Sequence, residues 1–314
     1  MLQALRAGSV PEEALEICLA SITTSTIQQY NSALKLWWQF RKSRNMKVYS
    51  ASVPDILKFF TTQFKNGATY TSLNSFRAAL TQILGPELTS DFRIKRFFTG
   101  VHSLRPTAPR YNYTGNPCIV LTYVKSMSNE TLSLQDLTYK LAILIALATG
   151  QRVQTLANIE VENIIIDENK VEVKIPKKLK TSAKGRIRPT LLLPFFNQDK
   201  KICLARTLIE YLNKTKNLRQ TSKNLFITVK KPHRLVTSQT ISRWLKVILK
   251  KSGLDTNKFT AHSTRHAATS ADARKGVSYD SIRLAAGWSE KSSVFANHYN
   301  RPLLQKDNFA TTCS

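Results

Sequence analysis

Residues 261–266 read Ala261-His262-Ser263-Thr264-Arg265-His266. A helix opening here places His262 and Arg265 at i and i+3, on one face. That pairs an imidazole with a guanidinium that stays charged at any physiological pH. Downstream, a short helix about Asp280 to Ala286 ends at Gly287-Trp288, and Tyr299 follows a polar stretch. Upstream, Ala148-Thr149-Gly150-Gln151-Arg152 puts an arginine just past the end of an apolar helix. Each residue taken singly has an ordinary explanation. Arg152 alone reads as a helix C-cap, His262 as a satisfied structural histidine, and Trp288 and Tyr299 as packing. The information lies in the order: Arg, then His-x-x-Arg, then Gly-Trp, then Tyr.

Around these motifs the pattern is mixed. Ser133 with Asp136 marks a helix start, Leu137, Leu141, Leu144, Ile145 and Ala148 form its apolar stripe, and Gly150 closes it. A turn at Val153 to Asn158 leads to three β-branched runs, Glu162 to Ile166, Lys170 to Ile175 and Arg188 to Leu193. The turn residues Asp167-Glu168-Asn169 join the first two, which predicts a small antiparallel sheet. Helices return at about Lys200 to Asn213 and at Ser238 to Ser252.

The first hundred residues contain only helical patterns. They fall at about Pro11 to Ile22, from Ser25 or Thr26 to Arg44, from Pro54 to Gly67, from Tyr70 to Leu84, and from Ser90 to Leu104. Trp37, Trp38 and the phenylalanine pairs are expected to be core residues. From Arg105 to Pro117 there are three prolines, a glycine and no apolar periodicity, the composition of a linker. The predicted organisation is a helical domain over 1–104, a linker over 105–117 and a second domain over 118–314. The fold class is mostly α with a small antiparallel sheet.

Charge narrows the partners. The 314-residue chain has 47 Lys and Arg against 20 Asp and Glu, a formal net charge of +27. Residues 1–104 hold 12 basic and 6 acidic side chains, so most of the excess lies beyond the linker. Such an excess points to a polyanion. The longest apolar run, Leu141 to Ala148, is too short to span a bilayer, and no secretory pattern opens the chain, so no membrane partner is expected. Cys18, Cys118, Cys203 and Cys313 are far apart and form no disulfide framework or zinc knuckle.

The ordered motifs resemble those of the tyrosine recombinase, or phage integrase, family. Its pattern is a helix-ending Thr-Gly-x-Arg, a hairpin lysine, His-x-x-Arg, Gly-His or Gly-Trp, and a nucleophilic tyrosine. Matched residue by residue, the resemblance implies catalytic roles for Arg152, Lys180, His262, Arg265, Trp288 and Tyr299. It spans the whole chain, because the family joins a helical, SAM-like core-binding domain by a linker to an α+β catalytic domain. Ala-Gly-Trp-Ser followed by Tyr-Asn-Arg-Pro looks most like the eukaryotic mobile-element recombinases of DIRS and crypton type, which implies a nuclear protein; a source that is not eukaryotic would imply a cytoplasmic one. Two departures stand out: Thr155 occupies the place of a supporting acid, and the stretch from Trp288 to Tyr299 is slightly long.

The implied activity is DNA strand transfer through a 3′-phosphotyrosyl bond, on double-stranded DNA and as a homotetramer on synapsed DNA. Two arginines suit the non-bridging oxygens of a phosphodiester in transfer, and a histidine can take the phenol proton. A hairpin lysine can protonate the 5′-hydroxyl; Lys180 fits the spacing, with Lys178 and Lys184 as alternatives. No cofactor or metal is implied. Expected DNA contacts are Arg41 and Lys42 in the first domain, Lys178, Lys184, Arg186 and Arg188 around the hairpin, and Gln239, Arg243 and Lys246 off the apolar face of their helix. The competing readings are a catalytically inactive, domesticated DNA-binding protein, a single-strand tyrosine topoisomerase, and a metal site on His262 and His266.

Overall fold

The computed structural model describes residues 1–106, 113–177, 188–219, 222–289 and 295–303. The chain divides into two compact units, Met1–Pro109 and Arg110–Ser314.

The first unit is helical. α1 (Leu2–Ala7) precedes the first predicted helix, which is split into a 3-10 turn (Glu12–Ala14) and α2 (Leu15–Ala20). α3 (Thr24–Lys42) starts before the expected Ser25 or Thr26, because Thr23 is the capping residue and its hydroxyl accepts the Thr26 amide. Ser52 and Asp55 form a reciprocal capping box for α4 (Val53–Lys65). α5 (Tyr70–Leu84), α6 (Pro86–Thr89) and α7 (Phe92–Leu104) complete the unit. Its core gathers Trp37, Phe40, Ile56, Phe59, Phe60, Leu73, Leu80 and Phe98.

Two expectations here are corrected. Trp38 is not in the core: it is 47% exposed, with the Lys42 ammonium 4.6 Å from its ring centre, because a 100° step from Trp37 turns it off the apolar face. Arg41 is not a surface group available to DNA. It is buried, paired with Asp55 at 3.0 Å, and donates to the carbonyls of Lys47 (2.9 Å) and Ser50 (2.6 Å), so it ties the loop after α3 to the start of α4.

The expected linker is partly structured. Arg105 belongs to the first unit through hydrogen bonds to the carbonyls of Phe64 and Ala68. Residues 107–112 lie outside the described residues. Thr114 forms a parallel bridge with Leu303, and α8 (Pro117–Lys125) begins where the linker was predicted to end, capped by Asn116.

In the second unit α9 (Leu134–Thr149) is the central helix, buried over most of its length and packed by α11 (Leu204–Thr215), α12 (Ser238–Lys251) and α13 (Ser263–Arg274). The predicted turn after it is a short helix, α10 (Val153–Ala157). β1 (Ile164–Ile166), β2 (Lys170–Lys174) and β3 (Thr190–Pro194) form an antiparallel sheet in the order β1-β2-β3, with Ile165 opposite Glu172 and Glu172 opposite Leu192. The Asp167 carboxylate accepts the amides of Asn169 and Lys170, fixing the β1–β2 turn. α14 (Tyr279–Ala285) and a π-helical turn (Phe295–Tyr299) follow. Among the described residues no helix is long and apolar enough to cross a membrane.

Candidate active site

α13 is the element on which the site is built. Its residues from Ser263 to Ser270 are all buried, and most are Ser, Thr or Ala, which lets neighbouring backbone approach closely. Thr269 donates back to the Arg265 carbonyl at 2.8 Å. The Ser270 hydroxyl donates to the Tyr299 carbonyl at 2.6 Å and accepts the Arg301 amide at 3.1 Å. Thus the helix that carries Arg265, with His262 at the position just before its first turn, also grips the backbone that delivers Tyr299. The Tyr299 hydroxyl is hydrogen-bonded to His262 Nε2 at 3.0 Å.

The first arginine motif meets the second through Gly150. This glycine ends α9 in a left-handed conformation (φ +58°), and a Cβ there would come within 3.2 Å of Thr269 Cγ2. Its carbonyl accepts Arg265 Nη1 at 2.6 Å. Arg152, two residues on, is half-buried in extended backbone just before α10. The Arg265 guanidinium is 4.1 Å from the Trp288 ring centre and 5.4 Å from that of Tyr299. Burial, with the charge of Arg152 added, lowers Arg265 to about 10, against a smaller opposing pull from Tyr299. It therefore stays charged at neutral pH.

Three N–H donors here are buried without a hydrogen-bond partner among the described residues: Arg265 Nε, Arg265 Nη2 and Trp288 Nε1. Orphaned donors of this kind are costly, and one of them belongs to a ring packed 4.8 Å from the tyrosine ring. Donors with no acceptor, beside two guanidinium charges, suit an anion. No group of three or more His, Cys, Asp or Glu side chains able to hold a metal occurs among the described residues.

A family model, the phage integrase family, matches residues 122–306. The chain belongs to the phage integrase family. Its fold is that of the tyrosine recombinases. A lambda integrase dimer bound to a COC′ core site superposes with a TM-score of 0.53 at 17% identity, covering 93% of this chain and 77% of that one. XerH recombinase bound to a palindromic difH substrate gives 0.61 at 15% identity, covering 87% and 76%. The Tn1549 transposon integrase in complex with circular intermediate DNA gives 0.50 at 14% identity, covering 84% of each chain. No curated protein sequence matches the chain.

Of the residues singled out in the sequence of this integrase-family chain, the structure brings His262, Arg265, Trp288 and Tyr299 into contact, with Arg152 close enough for its charge to act on Arg265. Lys180, Lys178, Lys184 and Arg186 lie outside the described residues. Gln239, Arg243 and Lys246 are exposed on α12, as are Arg188 before β3 and Lys42 in the first unit. The sequence reading missed His266 as a partner of the tyrosine. Its ring stacks on Tyr299, with centroids 4.1 Å apart and planes 13° from parallel. Burial, aided by the nearby charges of His262, Arg301 and Arg265, pushes His266 down to about 4, so it is neutral at pH 7. The i, i+4 spacing from His262 is the signal that could have found it.

Proposed function

We propose that this chain is a DNA strand transferase that breaks and rejoins duplex DNA through a 3′-phosphotyrosyl intermediate. The observation that carries the reading is the Tyr299 hydroxyl held 3.0 Å from His262 Nε2, with the unpartnered donors of Arg265 and Trp288 packed around the same ring. The Tyr299 oxygen attacks a DNA phosphorus and its proton passes to His262. Arg152, Arg265 and the Trp288 N–H hold the non-bridging oxygens as negative charge grows on them. The bond to the 5′-oxygen breaks, and a lysine of the β2–β3 hairpin, Lys180 by spacing, with Lys178 and Lys184 as the alternatives, supplies that oxygen with a proton. A 5′-hydroxyl from another strand then attacks the phosphotyrosine, returning the phenol. In that second step the hairpin lysine takes the proton of the attacking hydroxyl and His262 gives its proton back to the Tyr299 oxygen, so the phosphoryl group passes from DNA to Tyr299 and back to DNA.

Duplex binding is assigned to the excess of basic charge, with Gln239, Arg243 and Lys246 on α12, Arg188, Lys178, Lys184 and Arg186, and Lys42 in contact with DNA. The lambda integrase tetramer on a Holliday junction supports a homotetramer on synapsed DNA for this chain too. The test is a nicked suicide substrate, on which a cleaved strand diffuses away and the covalent complex accumulates. Wild type should form a complex stable to SDS, in the presence of EDTA as well, and Tyr299→Phe should form none. Salt-sensitive binding without any covalent product would instead establish a DNA-binding protein that has lost the chemistry.

A further inference from the structure

The turn after α9 carries a side chain that the scheme above does not use. Gln151 is 4% exposed, and its Nε2 donates to the carbonyl of Ala285 at 2.6 Å across 134 positions of sequence. Its own amide is held by Thr149 Oγ1 at 3.3 Å, and Thr149 in turn donates to Ile145, so the turn is anchored to α9. Ala285 is the last residue of α14, where carbonyls have no helical N–H to accept from. Three residues later comes Trp288, in a tight turn closed by Gly287 N–H to Leu284 O (3.0 Å) and Trp288 N–H to Arg283 O (2.8 Å).

These contacts close a ring. Arg265 donates to Gly150, Gln151 donates to Ala285, α14 leads into Trp288, and the Trp288 ring packs on Arg265. Approach along it is close: a Cβ on Gly150 would lie 4.0 Å from that of Ala286. Burying a primary amide is unfavourable unless it is hydrogen-bonded, whereas a leucine of similar size would fill the place without that requirement. The amide therefore earns its burial through the acceptor it reaches. We propose that Gln151 is a positioning residue, which locks the Trp288 turn to the Arg152 turn so that the donors of Arg265 and Trp288 converge on one phosphate. This rests on the strand-transfer reading for the phosphate, but not for the lock itself.

The test uses the full chain with Gln151→Leu, which keeps the volume and removes the donor. In the free protein, hydrogen exchange over 283–289 should accelerate at least about tenfold while α9 keeps its protection. On saturating suicide substrate, single-turnover cleavage should fall by about 10- to 100-fold, the cost expected of a misplacement near 1 Å, with the DNA dissociation constant unchanged within about twofold. Because Gln151 acts through the Trp288 turn, Gln151→Leu combined with Trp288→Phe should cleave no slower than the slower single variant. Unchanged exchange over 283–289, or losses that multiply in the double variant, would overturn the proposal. A wild type that binds DNA and never cleaves it would sink the strand-transfer reading alone, since the exchange experiment still decides whether Gln151 holds the turn.

Discussion

Arg265→Met separates a cation kept for chemistry from one kept for stability. The guanidinium is 1% exposed, and burial together with the charge of Arg152 lowers it to about 10. Holding it charged inside the protein thus costs about 3 kcal/mol at neutral pH. Against this stand one charged hydrogen bond to Gly150, worth about 1.5–3 kcal/mol, and the stack on Trp288, worth about 1 kcal/mol. Methionine fills a similar volume with no charge to desolvate. The terms nearly cancel, so the variant should fold within about 1.5 kcal/mol of wild type. Native-state hydrogen exchange of the α9 amides reads this directly, because α9 is the buried centre of the second unit. Cleavage of a suicide substrate by the same variant should fall by at least about 10²- to 10³-fold, the loss typical of one preorganised donor. A stability loss of about 3–5 kcal/mol would instead make Arg265 a support of the fold, because that is the cost of breaking a buried charge pair.

Four further substitutions bear on the same architecture. His266 has its folded pKa at about 4, below the ordinary 6.5, so its cost is absent above pH 6.5 and fully present below pH 4. Stability of the second unit should therefore fall by up to about 3 kcal/mol between those limits, and His266→Phe, which keeps a ring on Tyr299, should flatten the urea-midpoint profile; equal pH slopes would contradict the assignment. Gly150→Ala should cost about 1–2 kcal/mol in the same exchange assay, from the left-handed backbone and the contact with Thr269, and an unchanged stability would mean the turn relaxes freely. Arg243→Ala should weaken DNA binding and lower the salt slope by about 1, while Arg41→Ala should leave the slope alone and cost the first unit about 3 kcal/mol; the opposite pattern in a salt titration would make Arg41 a DNA contact and Arg243 none.

Local signals made much of this architecture legible. Ser133, Asp136 and Gly150 bracket α9 because capping chemistry is written within four residues of each end, and the Asp167 turn announces the β1–β2 hairpin in the same way. The motif order His262, Arg265, Trp288, Tyr299 was readable, although no spacing in it foretells which groups touch. What escaped the sequence depends on long-range closure. Gln151 meets Ala285 only because two turns far apart in the chain are packed together, and His266 stacks on Tyr299 only because Ser270 grips the returning backbone. Arg41 reads in the sequence as a DNA contact beside Lys42, and only the fold shows Asp55 and two carbonyls enclosing it. Asn116-Pro117 held a helix-start signal that the surrounding prolines and glycine obscured.

Mass spectrometry of the trapped complex reads directly whether Tyr299 itself becomes bonded to DNA. Wild-type protein is incubated with the nicked substrate, digested with nuclease and protease, and the nucleotide-bearing peptide is sequenced by fragmentation. One adducted peptide is expected, containing His298-Tyr299-Asn300-Arg301, with the added mass localised to Tyr299 and consistent with a 3′-linked phosphate. An adduct on any other residue, or a trapped 5′-linked phosphate, would contradict it.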